Sequence, residues 1–409
     1  MKNKIKLEDV INKLHPEGFM KRSKFHSLTI DEQVNYVSEI VEIYTELNGP
    51  LRIGIANEKG GTGKTLVALN IAFMLGQFGL KTLLQDNDPQ ASSTSLTGAD
   101  QETTKHIAFV KKIDTVPEVP EEYKDLDNFE PIDLKTTNIN EEFGREHFGY
   151  SIDDALESMM DNDGIVDEEI LEEIIVTPGV VTQAPEYDEQ GRKKKNDEGF
   201  VVWTDEFKDY GFDVVPSSSG LFTYGVKLGL LENQMKLKNA VGFQLDRCME
   251  QLIDYQNKKG NKYNVVISDL APSLDIITLN GLYYCRDGII GVITPNFEVL
   301  NGIYNIMTSI QFVMQNNIEH LGMPLIITNK YKSNYSFDKA LSYDLIQKTF
   351  KIRAAQNRIS LHEAATAQAH NINLMLSQYK AKPYEEFKKL TAEVLYEVLD
   401  SRIRKDRQL

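Results

Sequence analysis

Lys59-Gly60-Gly61-Thr62-Gly63-Lys64-Thr65 stands between a short apolar run, Leu51-Arg52-Ile53-Gly54-Ile55-Ala56, and a segment of helical periodicity from Leu66 to Phe78. The first run has strand character. In the second, Leu66, Leu69, Ala72, Phe73 and Leu75 crowd apolar faces at helical spacing. A glycine turn in that position suits a phosphate, because without a Cβ its backbone N–H groups can approach the anion closely. The start of the helix adds further N–H donors and the positive end of a dipole at the same point. Lys64 can reach β and γ phosphates, and the Thr65 hydroxyl can ligate Mg2+. Glu58 occupies the place where the usual spacing puts a first glycine, yet from Gly60 onward the turn still ends in Gly-Lys-Thr. A second strand, Thr82-Leu83-Leu84-Gln85, follows the helix and completes a βαβ unit.

Outward from this unit the chain divides by composition. Residues 1–50 read as an N-terminal helical extension. Thr29 and Glu32 form a capping box, Ile30, Val34, Val37, Ile40, Val41, Tyr44 and Leu47 recur at helical spacing, and Asn48-Gly49-Pro50 stops the helix. Such a helix packs on the main domain or meets a partner. Residues 100–213 hold 32 Asp plus Glu against 11 Lys plus Arg, a net of −21, which leaves the rest of the chain at +5 although the whole is −16. The acidity therefore belongs to an insert, residues 99–213, and not to the whole surface. Within it Ser151–Met160 and Asp167–Ile175 read as helices, and Pro117–Pro131 and Gln183–Gly199 as loops. Apolar runs return at Val214-Val215, Tyr263–Asp269, Gly288–Ile293 and Pro324–Thr328. Continuous apolar runs of this kind mark parallel strands covered on both faces. Asn239–Tyr255 and most of 331–409 read as helical. The expectation is a doubly wound, mostly parallel α/β domain assembled from 51–98 and 214–409.

Among the 409 residues the two cysteines, Cys248 and Cys285, exclude a disulfide framework and a four-cysteine metal cluster within one chain. No apolar run reaches the roughly 18 residues a spanning helix needs, and Met1–Leu14 lacks the apolar centre of a secretory signal. An intracellular, reducing location is expected.

The lysine at position 59 gives the glycine turn a second cation, more than one nucleotide needs. With it the turn resembles the deviant Walker A pattern, KGGxGKT, of the ParA/MinD superfamily of P-loop ATPases. The resemblance implies ATP held by Lys59, Gly60, Gly61, Thr62, Gly63, Lys64, Thr65 and Leu66, and a homodimer closed around two nucleotides in which Lys59 acts on the facing subunit's phosphates. Asp86-Asn87-Asp88-Pro89-Gln90 resembles the second acidic motif: Asp88 would position the attacking water and Asp86 support the Mg2+ shell. Asp269, ending its strand before Leu270-Ala271-Pro272-Ser273, resembles the Walker B carboxylate, which holds Mg2+ with Thr65. Asn329 sits where relatives contact the adenine base. The catalytic set is then Lys59, Lys64 and Asp88, and the metal set Thr65, Asp86 and Asp269.

Asp88-Pro89-Gln90, Ala271-Pro272-Ser273-Leu274 and Val292–Glu298 with Gly302 favour the ParA branch, the DNA-segregation ATPases; Leu361-His362-Glu363-Ala364 resembles its late segment. That branch implies non-specific DNA binding, a centromere-binding, ParB-like partner that stimulates hydrolysis, and a cytoplasmic, nucleoid-associated protein. Residues 319–409 carry 15 Lys plus Arg against 10 Asp plus Glu. Lys330, Lys332, Lys339, Lys348, Lys351, Arg353, Arg358, Lys380, Lys382, Arg402, Arg404, Lys405 and Arg407 are the candidate phosphate contacts. The alternative is a MinD-like ATPase acting at a membrane or cell pole. Against it, Phe387, Leu390, Val394, Leu395 and Val398 form a stripe suited to packing on the domain, and Ser401–Leu409 reads as a solvated tail rather than a membrane anchor.

Overall fold

The computed structural model describes residues 5–57, 59–99, 149–185, 203–235, 244–273, 275–295, 298–316, 321–332, 346–362, 366 and 375–406. The elements run α1 (Leu7–Leu14), α2 (Arg22–Phe25), α3 (Ile30–Asn48), β1 (Leu51–Ala56), α4 (Lys64–Gln77), β2 (Thr82–Asn87) and α5 (Ser92–Thr97). Then come α6 (Ile152–Asp161), α7 (Glu168–Glu173), β3 (Gly179–Pro185), β4 (Trp203–Asp209), β5 (Asp213–Val215), α8 (Gly220–Met235), α9 (Gln244–Lys258) and β6 (Val265–Leu270). The chain closes with α10 (Ile276–Tyr284), β7 (Gly288–Ile293), α11 (Glu298–Asn316), β8 (Leu325–Thr328), α12 (Ile346–Phe350), β9 (Arg353–Ala354), α13 (Leu376–Tyr379) and α14 (Ala381–Asp406).

Seven strands form one parallel sheet in the order β5-β2-β6-β1-β7-β8-β9. Successive side chains of a strand leave by opposite faces, and here they enter two different cores. Ile53, Ile55, Val265, Ile267, Ile290, Val292, Leu325 and Ile327 pack beneath α1, α3, α4 and α14. Leu83, Val215, Val266, Leu270 and Ile289 pack beneath α6, α8, α9, α10 and α11. Helices on both faces explain why the strands are apolar runs without polar alternation.

Local signals account for the N-terminal extension. The Thr29 side chain accepts from the Glu32 N–H and the Glu32 carboxylate accepts from the Thr29 N–H, so both halves of the expected capping box are made. Gly49 ends α3 with φ 81°, a region glycine enters at little cost. The helix lays Val37, Ile40, Val41 and Tyr44 into the core beside the buried stripe of α14. Arg22 on α2 adds a polar link, donating to Glu397 at 2.5 Å and to Glu393 at 3.2 Å. Both carboxylates are buried on α14. Glu393 also accepts the Gln356 and Asn357 N–H groups at 2.8 and 3.0 Å, and Glu397 accepts Arg353. His26 lies near this pair, but guanidinium and amide donors already fill the carboxylates, so the group reads as an ion network tying extension, sheet edge and last helix together.

Two expectations need correction. The acidic stretch contains a two-stranded antiparallel ladder, β3 with β4, where a loop was expected from Gln183; the remainder of that loop, and Pro117–Pro131, lie outside the described residues. Its two helices pack against the sheet's helical layer through Ile152, Leu156, Met159, Val166, Ile170 and Ile174. Finally, Ser401–Asp406 is not a solvated tail; 407–409 lie outside the described residues. The last helix continues to Asp406, burying Ile403, pairing Arg402 with Asp287 at 3.0 Å and offering Asp406 to the Leu7 N–H at 3.0 Å. Opposite charges on the domain convert a charged segment into a docked one.

Candidate nucleotide-binding site

The strand register decides which carboxylates meet. Asp269 on β6 is level with Ile55 on β1 and with Asp86 on β2, so the ends of three parallel strands share one edge of the sheet. Ligands of open α/β sheets gather at that carboxyl edge. The turn from Lys59 to Thr65 leaves β1 there and becomes α4. Gly61 and Gly63 have φ 76° and 84°, which β-carbon residues rarely adopt. Gly63 has a second constraint, because a Cβ there would lie 2.2 Å from the Asn329 amide nitrogen.

Lys64 is buried at the head of α4. Burial lowers its pKa, while the charges of Asp269 and Asp88 oppose that shift. Thr65 hydrogen-bonds Asp269, and the Ser93 hydroxyl donates to the same carboxylate at 2.8 Å. Asp86 accepts the Thr94 N–H at 2.9 Å, the Thr94 hydroxyl at 2.8 Å and the Asp88 N–H at 3.2 Å. Burial, and the neighbouring carboxylate's charge, push both Asp86 and Asp269 well above the ordinary carboxylate range. Asp88 accepts the Gln90 N–H at 2.9 Å, and its carbonyl takes the Ser217 hydroxyl at 2.9 Å.

The structure thus brings together Lys64, Thr65, Asp86, Asp88 and Asp269, with Thr62 buried and Leu66 packed at the domain core behind them. Lys59 stands at the leading edge of the turn, its N–H on the Asn57 side-chain oxygen at 3.0 Å. Asn329 is buried, and its amide donates to the Thr62 carbonyl at 2.9 Å. The donor set fits a divalent cation. Two fully buried carboxylates sit side by side, Asp269 Oδ1 has no hydrogen-bond partner among the described residues, and a hydroxyl completes an all-oxygen array. Thr65, Asp86 and Asp269 would hold it.

Ser93, Thr94, Ser217 and Asn57 were not anticipated. Hydroxyl residues in an otherwise ordinary loop give no sequence signal of the carboxylate they will meet. Asn57 is the exception: an amide ending an apolar strand must find buried partners, and it donates to the Val292 carbonyl at 2.7 Å.

The basic C-terminal residues fare differently from expectation. Arg353 is held by Glu397 and Asp400, Arg402 by Asp287 and Arg404 by Asp400. Lys330 donates to the Gly61 carbonyl, Arg358 stacks on Tyr331, and burial pushes Lys405 down to about 8. Lys348, Lys351, Lys380 and Lys382 are exposed, whereas Lys339 and Arg407 lie outside the described residues.

Comparison with known proteins agrees with this geometry. The family description for the CobQ/CobB/MinD/ParA nucleotide binding domain matches residues 53–371. The chain belongs to this family. Among relatives, the chromosome-partitioning ATPase Soj of Thermus thermophilus is 49% identical over 51 residues, 12% of this chain and 20% of the relative. The chromosome partitioning protein ParA of Caulobacter vibrioides is 34% identical over 119 residues, 28% of this chain and 44% of the relative. These matches span less than half the length of either curated relative. Among solved structures, apo McdA of Cyanothece superposes with a TM-score of 0.52 at 15% identity, covering 84% of this chain and 98% of that one. A McdA variant in complex with ATP matches with the same TM-score at 14% identity, covering 86% and 98%. At such identity the likeness is one of fold. This member of the ParA/MinD superfamily shares their fold, which here is a seven-stranded parallel sheet flanked by helices. Among the described residues no helix is long and apolar enough to cross a membrane.

Proposed function

We propose that this chain is a Mg2+-dependent ATPase of the ParA type that moves or positions DNA. The observation that carries the reading is the convergence of Lys64, Thr65, Asp86, Asp88 and Asp269 at the sheet edge around a glycine turn. In this reading the N–H groups of Gly60 to Thr65 and the ammonium of Lys64 bind and orient the β and γ phosphates. Thr65, Asp86 and Asp269 hold the ion, which when bound neutralises phosphate charge. Asp88, held at both its carbonyl and its carboxylate, orients the attacking water. Lys59 is assigned to the partner's nucleotide, so that ATP closes a homodimer and hydrolysis opens it. Residues 51–98 and 214–409 form the ATPase body, with 1–50 as its extension and 99–213 as its acidic insert.

The closed dimer would bind DNA without sequence preference through exposed lysines such as Lys348, Lys351 and Lys382. A centromere-binding, ParB-like partner would stimulate hydrolysis, in a cytoplasmic, nucleoid-associated cycle. Co-sedimentation with ATP and Mg2+ tests this: DNA should pellet the protein and liposomes should not. Recovery on liposomes alone would favour the MinD-like alternative, and recovery on neither would overturn both.

A further inference from the structure

We infer that Asn329 and Lys330, the two residues that follow β8, are positioning residues that hold the glycine turn in its phosphate-binding conformation from behind. The inference rests on the proposed nucleotide site and adds the element that shapes it. A phosphate-binding turn works only if its N–H groups face the anion, which forces the carbonyls of the same peptides to face the protein. Those carbonyls then need donors, because an unpaired buried backbone acceptor is costly. The Asn329 side-chain amide supplies one, donating to the Thr62 carbonyl at 2.9 Å. In the more exposed part of the turn the Lys330 ammonium donates to the Gly61 carbonyl at 3.1 Å, a second tie on the same loop.

The strap is itself fixed. Asn329 is 1% exposed, its N–H donates to the Ile293 carbonyl at 2.7 Å, and its side-chain oxygen accepts the Lys330 N–H at 2.9 Å. Lys330 holds φ +56°, which a residue with a β-carbon adopts rarely and which tends to occur where the surroundings impose it. Contact with the turn is tight enough to exclude any β-carbon at Gly63. The front half of the turn is held in the same manner by Asn57, which bridges the Lys59 N–H to the Val292 carbonyl of β7. Two buried amides, at the ends of β1 and β8 on either side of β7, therefore hold the turn, and the Lys330 ammonium is engaged by it as well. The geometry points to phosphate-chain recognition, not base recognition, as the role of Asn329.

Competition binding against a fluorescent ATP analogue separates the two roles, using ATP and inorganic tripolyphosphate as competitors. If Asn329 acts through the turn, Asn329→Ala weakens both competitors by the same factor, about tenfold or more. Asn329→Asp, which keeps the shape but removes the donor, should do the same. Lys330→Asn tolerates the left-handed backbone but cannot reach Gly61, and should weaken both ligands; Lys330→Arg, which keeps a donor, should restore them. A loss confined to ATP would show that Asn329 reads the base and would overturn the inference, as would unchanged affinities in correctly folded variants by circular dichroism. If wild-type protein binds neither competitor, the nucleotide-site reading itself fails. If a variant does not fold, ligand-induced protection of the Gly60–Thr65 amides from hydrogen exchange in Lys330→Asn decides the matter: weaker protection than in wild type supports the strap, and equal protection overturns it.

Discussion

In the proposed reading phosphate binding turns on Lys64, and its surroundings say why. It is buried where an ammonium is costly, beside two carboxylates that offset that cost. Lys64→Ala leaves the carboxylates facing an anion with no cation between, so ATP binding should be abolished in titration calorimetry; retained micromolar affinity would contradict the site. Asp88 is placed for a different purpose. Backbone and Ser217 hold the residue at the mouth of the site without filling its carboxylate. Asp88→Ala should leave ATP binding within a few-fold of wild type yet slow turnover by about 100-fold or more, the scale of a lost positioned water. Unchanged phosphate release would move that role elsewhere. The glycine turn and its carboxylates stood out in the sequence because the turn links a strand to a helix, Asp86 and Asp269 lie near the ends of apolar strands, and Asp88 comes just after one. The Thr62–Asn329 and Gly61–Lys330 contacts were not: they join positions more than 260 residues apart, and nothing local distinguishes Asn329 from any amide that ends a strand.

At the scale of elements, the last helix carries the clearest departure from the sequence pattern. Its apolar stripe from Phe387 to Val398 is buried as its periodicity implied. The charged continuation is docked too, with Ile403 buried, because Asp287 and the N-terminal extension supply partners that sit far away in the chain. Lys405 meets that environment least well. Its ammonium is buried with no hydrogen-bond partner among the described residues, and burial brings its pKa down to about 8 from 10.5. The native state therefore binds fewer protons than the unfolded chain between those two values, and stability contributed by this group rises with pH across that window. Lys405→Met should stabilise the protein by about 2 kcal/mol at neutral pH in urea unfolding, and the gap to wild type should narrow from pH 8 to pH 10. A gap that is absent, or widens with pH, would contradict the assignment. The β3–β4 ladder and the two-residue β9 escaped detection for a simpler reason: short strands rich in charge, or only two residues long, carry almost no periodicity.

For the whole molecule, the parallel sheet was legible in six strand-like runs, but its strand order was not, since order depends on which edge each crossover takes. That order brings Asp86 and Asp269 level. Charge is also a whole-molecule property. The chain is −16 overall, yet the excess lies in 100–213, so the proposed DNA contact through the exposed Lys348, Lys351 and Lys382 is compatible with the net charge. Binding through such contacts should weaken steeply with salt as counterions are released, by about tenfold or more between 50 and 200 mM; a flat response in anisotropy titrations would remove the lysine face from the account. The central claim is that triphosphate, through Lys59 of each copy, joins two chains. Light scattering on the Asp88→Ala protein measures it most directly. With saturating ATP and Mg2+ the mass should double from 46.5 kDa, and Lys59→Ala in the same background should return it to one chain; a single-chain mass with ATP bound, or a dimer indifferent to Lys59, would contradict the account.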